Sequence, residues 1–382
     1  MRKRNRLKRC CCAALGVVVL LSVGGCWNYR GLDQMAIVAG MALDYDPENN
    51  QYCTTFEIID LSKPVKEEGL KTVLLDSEGE TIFDAIRNAR KKVKSKLYFG
   101  HMTVAIISEA LAEHGKITRI ANWFLRDAEC RETLYLLISQ EKSAAEIFKA
   151  ENLESALLSF EIASILENDK KHTLSTSSSQ LYEVYGKLIT VGESLSLPAI
   201  HLVYRDEKPR LEVNGTAVFR DETMVGYLSP DDSKYLLFAM DEAKGGILTV
   251  QCPDSDDDIA LEIEKSKTSQ AIKAWEGKMT IELKLTTDVF IGETSGSLDA
   301  LDASQVTRVA DAAQKKQEQR IKEVVEKIQK EFGTDILGFG KLIQKQNPAL
   351  WREIKDNWEN AFKELSVEVI SKVRIRNTAM MK

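Results

Sequence analysis

The apolar positions Val306, Val309, Ala313, Ile321, Val324, Val325, Ile328 and Phe332 recur at helical spacing between Ser304 and Phe332. That spacing predicts one amphipathic helix roughly 40 Å long. A stripe of this length needs an apolar surface of similar extent to cover it. The chain on either side supplies strands. Leu211 to Phe219, Ile247 to Cys252, Ile259 to Ile263 and Met279 to Phe290 read as short strands separated by turns. Beyond the helix, Val367, Val369, Val373 and Ile375 read as a closing strand. Gln317 interrupts the stripe, which argues for packing on the chain's own sheet over a coiled-coil seam. Gly333 stands where a C-cap belongs. Trp351, Ile354, Trp358 and Phe362 line one further helix face.

The N-terminal half alternates differently. Met35 to Leu43 and Tyr52 to Leu61 flank Asp46-Pro47-Glu48-Asn49-Asn50, which predicts a hairpin. Ile82, Ile86, Ala89 and Val93 follow at helical spacing, then the run Met102 to Ile107, then Leu111, Ile117, Ile120 and Phe124, then Thr133 to Ser139. Helix and strand in turn imply an α/β layer. Ser143 to about Ile189 is mostly helical, broken by the polar stretch Thr173 to Ser179, a loop or short linker. At 382 residues, 44% of them hydrophobic, the chain can bury more than one core. The reading is an α+β, mixed α/β, multi-domain protein with sheets covered by helices. Its halves are 26–200, with two subdomains, and an α/β domain at 201–382.

The first 25 residues stand apart. A basic run precedes Ala13 to Leu21, an apolar stretch of signal-peptide length, which leads to Val23-Gly24-Gly25-Cys26. This resembles the lipobox of bacterial lipoproteins, and implies that residues 1–25 are removed and that Cys26 becomes an N-acylated S-diacylglycerol cysteine. Two acyl chains suffice for stable anchoring. Cys10, Cys11 and Cys12 would leave with the signal, so Cys53, Cys130 and Cys252 remain, an odd and widely spaced set that fits small buried hydrophobes better than a disulfide framework.

Charge narrows the partners. Six of the 52 basic residues lie in the first nine positions, so the rest carries 46 basic against 58 acidic side chains. A body this acidic repels nucleic acid, and equally disfavours a broad face for anionic lipid. Catalytic signatures are missing too: the sequence has no HExxH, GxSxG, Walker loop or CxxC. The four histidines, His101, His114, His172 and His201, are scattered. Asp254 to Asp258 has the carboxylates of a calcium loop, but Ile259 replaces the turn glycine and Lys265 the bidentate glutamate, so a solvated turn is expected. Gly338-Phe339-Gly340 follows a helix and lacks a third glycine, which removes the dinucleotide reading. The expectation is a chain without enzymatic activity, cofactor or metal.

Cys26-Trp27-Asn28-Tyr29-Arg30-Gly31-Leu32-Asp33, with Ala36 to Asp44 after it, resembles the opening of the Ger(x)C spore germination lipoproteins. The likeness continues through Phe99-Gly100-His101-Met102, through Phe124 to Arg131, through Asn214 to Phe219 and Val225 to Ser229, and through Asp335 to Gly340 with Trp351 and Trp358. Cys130 departs from the arginine segment's pattern. The resemblance implies a three-domain C-type subunit of a nutrient germinant receptor, lipid-anchored to the outer face of the spore inner membrane. Its partners would be A-type and B-type integral membrane subunits. Asp127 and Arg131, four apart, are candidates for an ion pair or a partner contact. Gly338 and Gly340, with Gly215 and Gly226, are candidates for tight backbone positions. Two other exported classes compete: a solute-binding lipoprotein, which needs two α/β lobes around a cleft, and a cell-wall enzyme, which needs catalytic motifs.

Overall fold

The computed structural model describes residues 34–61, 70–154, 156–177, 179–253, 257–275, 278–294 and 302–377. Strands β1 (Met35–Asp46) and β2 (Gln51–Asp60) form the expected antiparallel hairpin. The Asp46 carboxylate accepts the Glu48 amide at 2.9 Å, and Asn50 adopts φ +51° to turn the chain. β3 (Lys71–Gly79) adds to β2. Helix α1 (Ile82–Ala89) follows, and β4 (Lys96–Tyr98) pairs in parallel with the first residues of β1.

The middle of this sheet is parallel. β5 (Val104–Ser108) lies beside β1, and β6 (Tyr135–Ser139) beside β5, both buried along their whole length. Central parallel strands are dry on both faces, which is why they read as unbroken apolar runs. Ala105 and Ile107 point to a layer formed by α1, α2 (Glu109–Glu113), α3 (Ile117–Arg126) and α5 (Leu181–Ile189). Val104 and Ile106 point to the opposite layer, formed by a 3₁₀ turn at Ala144–Lys149 and α4 (Leu158–His172). Gly115, at φ +69°, divides into two the helix expected over 111–124.

This sheet runs through residue 200, where the two halves were expected to part. β7 (Ser196–Arg205), β8 (Lys208–Arg220) and β9 (Thr223–Leu228) complete nine strands in all. The polar stretch 173–179 is no linker where it is described. Ser175 and Thr176 hydrogen-bond to carbonyls of Val213 and Gly215 in β8, and the Asp169 carboxylate accepts both their amides.

The second sheet has the order β10 (Ile247–Gln251), β11 (Asp258–Trp275), β12 (Lys278–Thr294), β13 (Ser366–Asn377). Its two middle strands span 18 and 17 residues, much longer than the short runs read from the sequence. The cause is alternation: in β11 the buried Ile259, Leu261 and Ile263 interleave with wet charged residues that hide the rest of the strand. α6 (Pro230–Ala239) and the long helix α7 (Ala303–Lys327) cover the dry face. α7 continues through a π turn at Ile328–Phe332 to Gly333, whose φ of +61° confirms the C-cap. Gln317 does not interrupt the stripe. It is fully buried and bonds to Thr287 of β12 and Ser371 of β13. The last helical region is three pieces, α8 (Phe339–Gln346), α9 (Pro348–Ile354) and α10 (Trp358–Glu364), divided at Pro348 and by a 3₁₀ turn at Lys355–Asn357. The segment Asp254 to Asp256 falls outside the described residues, between the antiparallel β10 and β11.

Candidate functional site

Two places gather the residues singled out in the sequence. The first is the loop after α3. Asp127 ends that helix and accepts the Glu129 amide at 2.9 Å, so it shapes a turn. Among the described residues no ion pair joins it to Arg131; its carboxylate serves the turn. Glu129 instead reaches across to β4, where it binds Lys96 and accepts the Phe99 amide at 3.4 Å. The Phe99 and Arg131 segments are thus brought together by Glu129, a residue not singled out by the sequence pattern. Arg131 lines a cavity of about 300 Å³ with His101, Thr103, Tyr135, Glu167 and Gln180.

The cysteines carry no reactive signature. Cys53, Cys130 and Cys252 are free thiols, the last buried and the other two half-buried. Burial, and then the carboxylates of Asp127 and Glu129, push the Cys130 thiol far above its ordinary value, and burial raises Cys53 as well. A thiol held protonated is a poor nucleophile.

The second place is the junction between the two sheets. Asp335, in the loop after Gly333, is fully buried, and its carboxylate accepts the amides of Phe339 at 3.2 Å and Gly340 at 2.7 Å. These amides open α8, whose exposed dipole end favours a carboxylate. Burial nevertheless dominates and pushes Asp335 up to about 7. The Trp358 indole N–H also faces this carboxylate and favours its charged form, although no hydrogen bond of ordinary geometry joins them.

The glycines predicted to hold tight positions do so here. Gly338 sits at φ +74° as the N-cap of α8. A Cβ on Gly340 would lie 2.6 Å from the Gly192 carbonyl oxygen and 2.9 Å from the Trp358 nitrogen. Across this contact the Lys341 amide donates to Gly192 at 3.0 Å, and the Ser194 amide donates to the Asp335 carbonyl at 2.7 Å. Thr334 bonds to Ser194 and to the Phe219 carbonyl, and Lys341 pairs with Glu193. Asp335 and Gly192 were not foreseen as the centre of a latch; the signal was an aspartate four and five residues ahead of the glycine-flanked helix start.

A cavity of about 820 Å³ lies between α4 and β8, lined by Leu153, Ile165, Leu211 and Val213. The carboxylates in its wall, Glu161 and Asp169, already accept the backbone amides of Leu153, Ser175 and Thr176. Among the described residues no group of three His, Cys, Asp or Glu side chains is placed to hold a metal, and no helix is long and apolar enough to cross a membrane. Cys26 lies outside the described residues.

With this geometry in view, residues 28–202 match the spore germination protein N-terminal domain, and residues 214–379 match the spore germination B3/GerAC-like C-terminal domain. The chain belongs to the Ger(x)C family. The two domain models meet at the β7–β8 hairpin, inside the nine-stranded sheet. Spore germination protein B3 of Bacillus subtilis is 25% identical to this Ger(x)C chain over 356 residues, covering 91% of it and 92% of the relative. Spore germination protein KC of the same organism is 24% identical over 408 residues, 98% and 97% of the two chains. The crystal structure of the GerBC protein shares the fold, with a TM-score of 0.57 at 22% identity over 88% of this chain and 97% of that one.

Proposed function

We propose that this Ger(x)C protein is a non-enzymatic subunit of a spore nutrient germinant receptor. In this reading lipid on Cys26 anchors it to the outer face of the spore inner membrane, beside A-type and B-type integral membrane subunits. The observation that carries the reading is the match of both germination domains in order along the mature chain, with relatives that are spore germination proteins. The geometry is compatible with a coupling role: buried carboxylates are spent on backbone amides, and the two sheets are held together by an internal latch.

The test is germination of spores carrying Cys26→Ala, scored by loss of refractility for each nutrient mixture and paired with a membrane-fraction blot. The expected result is release from the membrane fraction with failure of one nutrient response, while nutrient-independent germination continues. Normal responses to every nutrient from a released protein would remove the receptor role, and retention in the membrane fraction would remove the anchor.

A further inference from the structure

The charge of the whole chain conceals a local reversal. Between Asp84 and Glu109 there is no acidic residue, and Arg87, Arg90, Lys91, Lys92, Lys94 and Lys96 fall within ten positions. This run leaves the C-terminal end of α1 and enters β4, where Lys96 pairs with Met35, the first residue of β1. The basic segment therefore lies against the point at which the chain from Cys26 enters the fold. Nine residue steps separate Cys26 from Met35, and a chain of that length spans at most about 30 Å.

The cations there are not consumed by the protein. Arg87, Arg90, Lys91, Lys92 and Lys94 are exposed, and among the described residues none of them makes an ion pair. Lys91 donates to the Asn88 side chain and Lys92 to the Asp76 carbonyl, both at 2.8 Å, while the Arg87 guanidinium lies 4.8 Å over the Phe83 ring. Only Lys96 is neutralised, by Glu129. Of the carboxylates on neighbouring elements, Asp76 accepts from Thr55 and Asp84 from the Glu80 amide and Asn88, Glu80 precedes the start of α1, and Glu78 of β3 is exposed, its carbonyl accepting from Asn88. Exposed Phe83, Val73 and Leu74 on α1 and the edge strand β3 add apolar surface. Unpaired lysines and arginines beside apolar side chains, close to a lipid anchor, suit a bilayer surface bearing negative charge.

We propose that residues 87–96 form a docking surface for anionic phospholipid headgroups, which seats this end of the first sheet on the membrane. The proposal rests on the lipid anchor read at Cys26, and gives that anchor a second, electrostatic signal. It also refines the sequence-based expectation that the acidic body disfavours a broad face for anionic lipid: the net charge is acidic, but the surface nearest the tether is locally basic.

The experiment uses the full mature chain with Cys26→Ala, which carries no lipid, sedimented with phosphatidylcholine vesicles with and without phosphatidylglycerol. Binding is expected only with phosphatidylglycerol and is lost as salt shortens the Debye length. Joint Arg90→Glu, Lys91→Glu, Lys92→Glu and Lys94→Glu lowers the partition coefficient by at least about tenfold. The milder glutamine versions of the same four give an intermediate loss, and Lys315→Glu with Lys322→Glu on α7 gives none. Circular dichroism establishes that each variant is folded. Equal or absent binding to both vesicle types overturns the proposal, as does phosphatidylglycerol binding that survives the charge reversal; either result would leave a protein partner as the ligand of this face. Mass spectrometry of the N-terminal peptide from the wild-type protein reads the anchor separately, so the two ideas fail independently.

Discussion

The two sheets are stabilised in opposite ways. In the nine-stranded sheet the central strands β5 and β6 are dry on both faces, and the buried polar groups are committed inside the protein: Thr54 donates to the Ser77 carbonyl of β3, and Glu57 of β2 accepts the amides of Leu158 and Ser159 at the start of α4, each at 3.0 Å. In the four-stranded sheet one face is dry beneath α7 and the other is wet, with Lys273 bound to Glu282 and Arg374 and Arg376 to Asp288. A lost polar contact in the first sheet leaves groups stranded away from water, whereas on the wet face water replaces it. The comparison predicts where substitutions should hurt.

The largest effect belongs to the junction, where the two regimes meet. Asp335 is pushed up to about 7 from an ordinary value of 3.8. The folded state therefore holds its proton over a range in which the unfolded chain has released it. The stability this supplies is whole below about pH 4, falls as the pH rises towards 7, and is gone above that. The span corresponds to a loss on the order of 4 kcal/mol. Urea midpoints for wild type and Asp335→Asn between pH 4 and pH 8 check it: the difference between the two proteins should change across that window, and a constant difference would show that Asp335 does not titrate there.

Next comes Glu57→Ala, which strands two buried amides and the Ser159 hydroxyl that also donates to Glu57. A cost of about 3 kcal/mol is expected by chemical denaturation, with early hydrogen exchange in α4. Gln317→Ala probes the second sheet in the same way. Its side chain lies under the dry face of the second sheet and serves Thr287 and Ser371. A loss of about 2 kcal/mol is expected. If Gln317→Leu is no less stable than wild type, the site wants volume more than hydrogen bonds.

How much of this could be read in advance follows the same division. The dry strands, the hairpin and the α7 stripe announced themselves because burial there coincides with residue type. The wet strands did not, since Glu262, Glu264, Lys265 and Lys267 sit inside β11 and make it look like a loop. Gln317 looked like a fault in a helix because a single element's pattern cannot show a partner hydroxyl two strands away. The glycines of the latch were legible as tight positions, but their neighbour Gly192 lies far away in sequence, so the contact between the sheets was not. The basic segment was hidden by counting charge over the whole chain.

The smallest effect tests the exposed limit of the comparison. Lys330 and Glu326 lie four apart on the outer side of the π turn and the end of α7, with their charged atoms at 3.0 Å. Both side chains are largely in water, so the pair exchanges one hydration shell for another and gives up side-chain freedom to form. Lys330→Ala should cost no more than about 0.5 kcal/mol, and less as salt is raised. A loss several times larger, read from the same urea midpoints, would mean that the end of α7 is held by charge; the division between dry and wet faces would then misplace the source of stability in the second sheet.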